Sequence, residues 1–278
     1  MGPSAPPVWL NGRLVPEAEA LVSAFDHGLI VGDGVFETLR TFGGRPFAVR
    51  RHLDRLARSA EGVGLDLPDR AGVESAMGAV LDAAGLPEAR VRITVTSGPG
   101  PLGSARGTAG PTLMVAVAPL DPVPSTADVV TVPWTRNEGG ALAGLKTTSY
   151  AENAIALARA HREGAAEAIF ANTRGELCEG TGTNVVVAVG GRLVTPPLSS
   201  GCLAGVTRDL VVEVADVIEA PLPLSALAEA DEAALLSSTR SLQAIASVDG
   251  RPLGRAPGPL TERAAQAFAA LVAKNLDP

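Results

Sequence analysis

Apolar and polar positions along this chain follow two rhythms. Spacing of three and four predicts helices over 51–63, where Leu53, Leu56, Ala57 and Ala60 share one face, and over 70–84. The same rhythm marks 150–163, 207–217 and 260–274 as helical. Short, largely apolar runs predict strands over 91–96, 112–118, 129–132, 167–171, 233–236 and 242–248. Three hairpins stand out. Asn11-Gly12 joins 8–10 to 13–15, Gly43-Gly44 joins 35–42 to 45–49, and Gly190-Gly191 joins 184–189 to 192–194. Strands come in clusters and not in regular βαβ alternation. The expected fold class is therefore α+β in two halves and not a doubly wound parallel sheet. Ala118-Pro119-Leu120-Asp121-Pro122-Val123-Pro124-Ser125 is a proline-rich break that reads as an interdomain linker. The expected organisation is an N-terminal α/β domain over 1–118, a linker over 119–125 and a larger C-terminal domain over 126–278.

Composition narrows the function classes. A net charge of −7 leaves no broad basic footprint for nucleic acid. Cys178 and Cys202 form neither a CxxC pair nor a disulfide framework, which fits a reducing cytoplasm. Residues 1–15 carry three prolines and no long apolar run, so no signal peptide is expected. No apolar segment approaches the length of a membrane span. One count is sharper: of 23 basic residues only Lys146 and Lys274 are lysine, so arginine carries the surface charge. An ammonium can lose its proton where a guanidinium cannot. Lys274 reads as a solvated tail residue. Lys146 lies in Gly144-Leu145-Lys146-Thr147-Thr148-Ser149-Tyr150, either a surface loop or a place for amine chemistry.

Several motifs admit a chemical reading. Gly98-Pro99-Gly100-Pro101-Leu102-Gly103 matches G-x-G-x-x-G, but no helix opens after it and two prolines remove amides, so it reads as a mobile loop and not a dinucleotide site. His27, His52 and His161 stand in unrelated contexts and make no metal-spaced set with the cysteines, so no metal is expected. No G-x-S-x-G elbow is present. The informative stretch is Glu176-Leu177-Cys178-Glu179-Gly180-Thr181-Gly182-Thr183-Asn184, an acid beside small residues that let a ligand come close. Leu203-Ala204-Gly205-Val206-Thr207-Arg208 enters a helix whose first amides make either a plain cap or a phosphate cradle. Ser237-Ser238-Thr239-Arg240 adds hydroxyls and a positive charge.

Together these pieces resemble the class IV aminotransferases, the fold-type IV pyridoxal-phosphate enzymes. The group includes branched-chain aminotransferases, D-amino acid transaminases, (R)-amine transaminases and 4-amino-4-deoxychorismate lyases. The resemblance runs from Gly32-Asp33-Gly34-Val35-Phe36-Glu37 to Ser237-Ser238-Thr239 and is most specific at Leu145-Lys146, Glu179 to Asn184 and Leu203 to Arg208. It implies pyridoxal 5′-phosphate as cofactor, Lys146 as the catalytic Schiff-base lysine and Glu179 as the partner of the pyridine nitrogen. It further implies that Arg55, the amides of Val206 and Thr207, and the Thr239 hydroxyl hold the phosphate. Tyr150 resembles the tyrosine that follows the lysine, one position out of the branched-chain register. A homodimer is implied as well, with a small amino donor and a keto acid as the partners.

Substrate choice is less marked. Gly32-Asp33-Gly34 resembles the D-transaminases and the lyases, yet Phe36 stands where a tyrosine hydroxyl would help and the 97–110 loop holds Arg106 but no histidine. Arg40, Arg106 and Arg240 are candidates for the substrate carboxylate and read equally as surface arginines. The expected activity is transfer of an amino group from a D-amino acid, with (R)-amines also considered, to a 2-keto acid. The alternatives are 4-amino-4-deoxychorismate lyase, an L-branched-chain aminotransferase and a pyridoxal-phosphate-binding protein without turnover.

Overall fold

A computed structural model describes residues 6–278, so the first five residues of the proline-bearing N-terminal stretch lie outside it. The fold is α+β. By contacts the described residues divide into two units: one runs up to Asp121 and adds 145–150 and 276–278, and the other holds residues 122–144 with 151–275.

The first unit contains β1 (Val8–Leu10), β2 (Arg13–Val15), α1 (His27–Ile30), β3 (Gly34–Phe42), β4 (Arg45–Pro46), α2 (Val49–Val63), α3 (Arg70–Ala84), β5 (Ala89–Thr96) and β6 (Thr112–Pro119). Its six strands run in the order β2-β1-β6-β5-β3-β4, with every pairing antiparallel. Period-two alternation puts Val35 and Leu39 of β3 and Val91, Ile93 and Val95 of β5 on one face. These pack with Leu53, Leu56 and Ala60 of α2 and Val73, Met77 and Val80 of α3 in one buried cluster. Asp69 caps α3 by accepting from the Gly72 amide, and Gly85 ends it in the left-handed region at φ 61°.

The second unit contains β7 (Thr126–Arg136), α4 (Ala151–Arg162), β8 (Glu167–Asn172), β9 (Leu177–Gly180), β10 (Asn184–Val189), β11 (Arg192–Thr195), α5 (Val206–Val214), β12 (Ile218–Glu219), α6 (Ser225–Ala228), β13 (Ala233–Ser237), β14 (Ser241–Val248), β15 (Arg251–Pro252) and α7 (Pro259–Lys274). Its sheet is mixed, ordered β12-β11-β10-β13-β14-β7-β8-β9, with β15 added on β14. The β14–β7, β7–β8 and β11–β12 pairings are parallel. One core cluster lies around Val129, Ile169, Val185, Leu235 and Ile245, and a second joins α4 to β7 and β8 through Ala156, Ala160, Val130 and Phe170.

Four expectations need correction. The return strand over 45–49 is only two residues long, because Ala48 turns left-handed at φ 54° and α2 starts at Val49. Helix α5 stops at Val214 and not at 217; Asp216 turns at φ 50° and Ile218 pairs with Val194. Residues 177–180, for which the sequence predicts no strand, are strand β9, with Glu179 opposite Phe170. Helices α1 and α6, four residues each, were not foreseen because one turn is too short to show a period.

Candidate active site

Lys146 is buried, at 9% exposure. Its segment is stitched to the start of β3. The Phe36 amide donates to the Lys146 carbonyl at 3.0 Å and the Thr148 amide to the Gly34 carbonyl at 2.8 Å. The Lys146 amide donates to Ser59 Oγ of α2 at 3.1 Å. Two glycines make this approach feasible: a Cβ on Gly34 would stand 3.0 Å from Thr148 Oγ1, and one on Gly62 would meet the Leu145 side chain at 2.7 Å. Gly32, at φ 70°, offers its carbonyl to the hydroxyls of Thr148 and Ser149. In the folded chain the Gly32-Asp33-Gly34 motif thus seats the lysine segment.

The amine is packed among aromatic rings. Lys146 Nζ lies 4.4 Å from the Phe36 ring centre and 6.0 Å from that of Tyr150. Phe36 and Tyr150 meet edge to face at 5.2 Å. Arg92 of β5 places its guanidinium carbon 3.5 Å over the same Phe36 ring. Its Nε donates to Thr94 Oγ1 at 3.3 Å. Among the described residues no carboxylate pairs with Arg92. Burial lowers its pKa from the ordinary value, against the opposing pull of Tyr150 and Glu37. Nothing in the sequence marks Arg92, because a polar residue alternating with Val91 and Ile93 reads as the solvated face of a strand.

The three arginines singled out from the sequence are otherwise engaged. Arg40 pairs with Glu88 at 2.7 Å and lies over the Phe42 ring. Arg106 grips both oxygens of Asp33 at 2.7 Å and donates to the carbonyls of Val63 and Gly64. Arg240 donates to Gln243 Oε1 at 2.8 Å and to the Ala166 carbonyl at 3.1 Å, 3.9 Å from Glu167.

Arg55 is buried on α2 against Glu37 of β3. Its Nε and Nη2 donate to Glu37 Oε1 and Oε2, each at 2.7 Å, and His52 Nδ1 lies 2.7 Å from Oε2. Burial alone would raise the Glu37 pKa, but the charge and hydrogen bonds of Arg55, helped by His52, hold it well below the usual carboxylate range. An ionised carboxylate only accepts, so His52 Nδ1 carries the proton. Burial also lowers the His52 pKa, outweighing the pull of Glu37, and keeps the ring neutral. An unfolded His52 takes its proton near the ordinary value of 6.5. Below that pH the unfolded state binds the extra proton, so this contribution is full above 6.5 and lost as pH falls. The expected slope is at most about 1.4 kcal/mol per pH unit. Melting temperatures between pH 6.5 and 5 should fall faster for the wild type than for His52→Asn. Parallel profiles would refute this.

In the second unit Glu179 Oε2 accepts from the Leu203 amide at 2.9 Å, and Oε1 lies 3.3 Å from Arg136 Nε. Arg136 in turn stacks on Phe170 and pairs with Glu152. Asn184 Nδ2 donates to the Leu203 carbonyl at 2.9 Å, and a Cβ on Gly205 would stand 1.9 Å from Asn184 Oδ1. The two glycine-bearing stretches of the sequence are therefore tied together at Leu203–Gly205. Gly205 is the N-cap of α5, and no side chain caps that end, so the amides of Val206 and Thr207 open a helix whose dipole favours an anion. Thr239 sits in the 238–240 turn between β13 and β14.

Each unit holds groups of the kind that pyridoxal 5′-phosphate needs: a buried primary amine and an arginine in the first, and a carboxylate held by a backbone amide and an uncapped helix start with a glycine at the cap in the second. The amino-transferase class IV family model matches residues 34–248. A Methanocaldococcus jannaschii protein assigned as a branched-chain-amino-acid aminotransferase is 33% identical, over 94% of both chains. A bifunctional aminodeoxychorismate lyase / D-amino acid transaminase of Mycobacterium tuberculosis is 32% identical, over 95% of this chain and 96% of its own. The crystal structure of a branched-chain aminotransferase from Thermoproteus uzoniensis with norvaline superposes with a TM-score of 0.89 at 30% identity, covering 96% of this chain and 95% of that one. The chain belongs to the class IV aminotransferases and is an enzyme that works with pyridoxal 5′-phosphate.

Proposed function

We propose that this enzyme takes the amino group of a D-amino acid and delivers it to a 2-keto acid, with Lys146 as the catalytic amine. The observation that carries the amino-acid reading is the pair of basic side chains on one aromatic ring: Lys146 Nζ at 4.4 Å and the Arg92 guanidinium at 3.5 Å from Phe36. A half-buried guanidinium without a carboxylate of its own is a fitting anchor for a substrate carboxylate. The D-stereochemistry is supported by the Gly32-Asp33-Gly34 motif and by the similarity to the bifunctional M. tuberculosis protein.

When bound, pyridoxal phosphate supplies an aldehyde that condenses with amines and a ring that takes up electrons. Lys146 would be its point of attachment, and its amine would serve as the base that carries the substrate's α-proton. Glu179 would keep a proton on the ring nitrogen. Arg55, the Val206 and Thr207 amides and the Thr239 hydroxyl hold the phosphate. Phe36 and Tyr150 flank the amine and exclude water. Arg92 orients the substrate by its carboxylate, a role for which Arg40, Arg106 and Arg240 are less suited because each already has partners.

Arg92→Gln is expected to raise KM for amino and keto acids about 10- to 100-fold, the worth of one charged hydrogen-bonded pair, and to leave amines without a carboxylate unaffected. An equal loss on (R)-1-phenylethylamine would remove the assignment. D-alanine is expected to bleach the visible band of the holoenzyme and L-leucine is not; the reverse pattern would overturn the D-amino acid reading. The second reading, 4-amino-4-deoxychorismate lyase, is favoured by the same bifunctional relative. Its signature is pyruvate released from aminodeoxychorismate with no acceptor present.

The enzyme is further proposed to be a homodimer. Leu21, Val22, Phe25, Leu29 and Val31 are all exposed within one eleven-residue segment, and Leu102 is exposed on the loop whose Gly100 amide donates to the Phe25 carbonyl. An apolar surface of this kind calls for a covering partner. Light scattering should give a dimer for the wild type and a smaller species for Leu29→Asp; a monomeric wild type would refute the proposal.

A further inference from the structure

Strand β3 turns Val35, Glu37 and Leu39 to the same face, where all three are fully buried. A carboxylate in such a row needs a reason, because a buried ion pair contributes little net stability over an apolar packing of the same shape. The pairing geometry supplies one. Glu37 takes the Nε and Nη2 hydrogens of Arg55, the side fork of the guanidinium, at 2.7 Å each. A guanidinium pinned at two points on one edge cannot swing or rotate, and its end fork, Nη1 with Nη2, has one fixed direction. His52, one helical turn before Arg55 and 1% exposed, donates its Nδ1 hydrogen to Glu37 Oε2 at 2.7 Å and so fixes the carboxylate in turn.

We propose that Glu37, locked by His52, is the positioning residue that sets the Arg55 end fork for a phosphate monoester, an inference that rests on the assignment of Arg55 to the cofactor's phosphate. The ordering of a long side chain is then complete before the anion arrives, and that saving appears as affinity. The phosphate is the only part of the cofactor this device addresses. It should therefore act on pyridoxal phosphate and not on pyridoxal.

The test is the ratio of Kd values for these two vitamers, read by spectral titration of the apoenzyme. Glu37→Gln is expected to raise Kd for pyridoxal phosphate about tenfold, the scale of one charge-assisted hydrogen bond, and to leave that for pyridoxal unchanged. The phosphorus NMR resonance of bound pyridoxal phosphate should shift in parallel. A wild-type ratio, or equal weakening of both vitamers, overturns the inference. Should Glu37→Gln fail to fold, His52→Phe carries the same test: it removes the donor and keeps a ring, so the ratio should move, and His52→Asn, which restores an N–H, should recover it. An unmoved ratio in His52→Phe overturns the inference as well. The neutral pair Glu37→Gln/Arg55→Gln tests the footing. If it keeps the wild-type ratio, the phosphate assignment of Arg55 falls and the inference with it, whereas a ratio changed there but not in Glu37→Gln removes the positioning role alone.

Discussion

Lys146→Ala is expected to abolish turnover, lowering kcat by at least about 10³-fold, because under the proposed mechanism the variant loses both the covalent anchor and the acid–base group. The fold should survive. The contacts that seat this residue are made by its backbone, from the Phe36 amide to its carbonyl and from its amide to Ser59, and alanine keeps both. The side chain is what is removed, from a site at 9% exposure beside Phe36 and Tyr150. Borohydride reduction of the wild-type holoenzyme followed by peptide mapping should place the cofactor's mass on Lys146, and the variant should take up no label there. The composition makes this test unusually clean, since Lys274 is the only other lysine in the chain. A label on Lys274, or turnover retained by Lys146→Ala, would falsify the proposed chemistry.

Glu179→Gln has the second-largest expected effect. The amide oxygen of glutamine can still accept from Leu203, so the 203–205 turn should hold, but a neutral amide does not keep a proton on a ring nitrogen. Without that proton the ring is a weaker sink for electrons, and kcat is expected to fall about 10²-fold or more, the range of a lost proton-holding group. The variant also leaves Arg136 facing a neutral neighbour at the position where Oε1 stood 3.3 Å away, so its melting temperature should be recorded beside its rate. The informative result is a low kcat with a largely preserved melting temperature and bound cofactor. A variant with wild-type kcat would show that Glu179 does not serve the ring nitrogen.

Much of the architecture could be read from patterning. The β1–β2 hairpin and helix α3 match the expected bounds residue for residue, because Asn-Gly and a regular 3.6-residue period are local signals that need no distant partner. Strand β9 was hidden for the opposite reason. Glu179 and Gly180 lack the β-branched residues that announce a strand, and their extended state comes from pairing with Phe170 and Ile169. Lys146 was conspicuous because lysine is rare in this chain, and the stretches around Glu179 and Gly205 because small residues there need an explanation. What drew them together as a structural unit, the bonds from Leu203 to Glu179 and from Asn184 to Leu203, spans 24 and 19 residues and has no periodic trace.

The arginines mark the division most clearly. The order of residues was enough to say that the chain is α+β, where its helices and most strands run, and which lysine is out of place. It was not enough to sort the arginines, because an arginine's role depends on which acids and rings face it across the fold. Arg40, Arg106 and Arg240 looked available until folding brought Glu88, Asp33 and Gln243 against them, and Arg92 looked solvated until folding laid it over Phe36. A period tells which face of an element is apolar. A polar residue on that face announces only that it needs a partner, and the identity of the partner is a property of three dimensions.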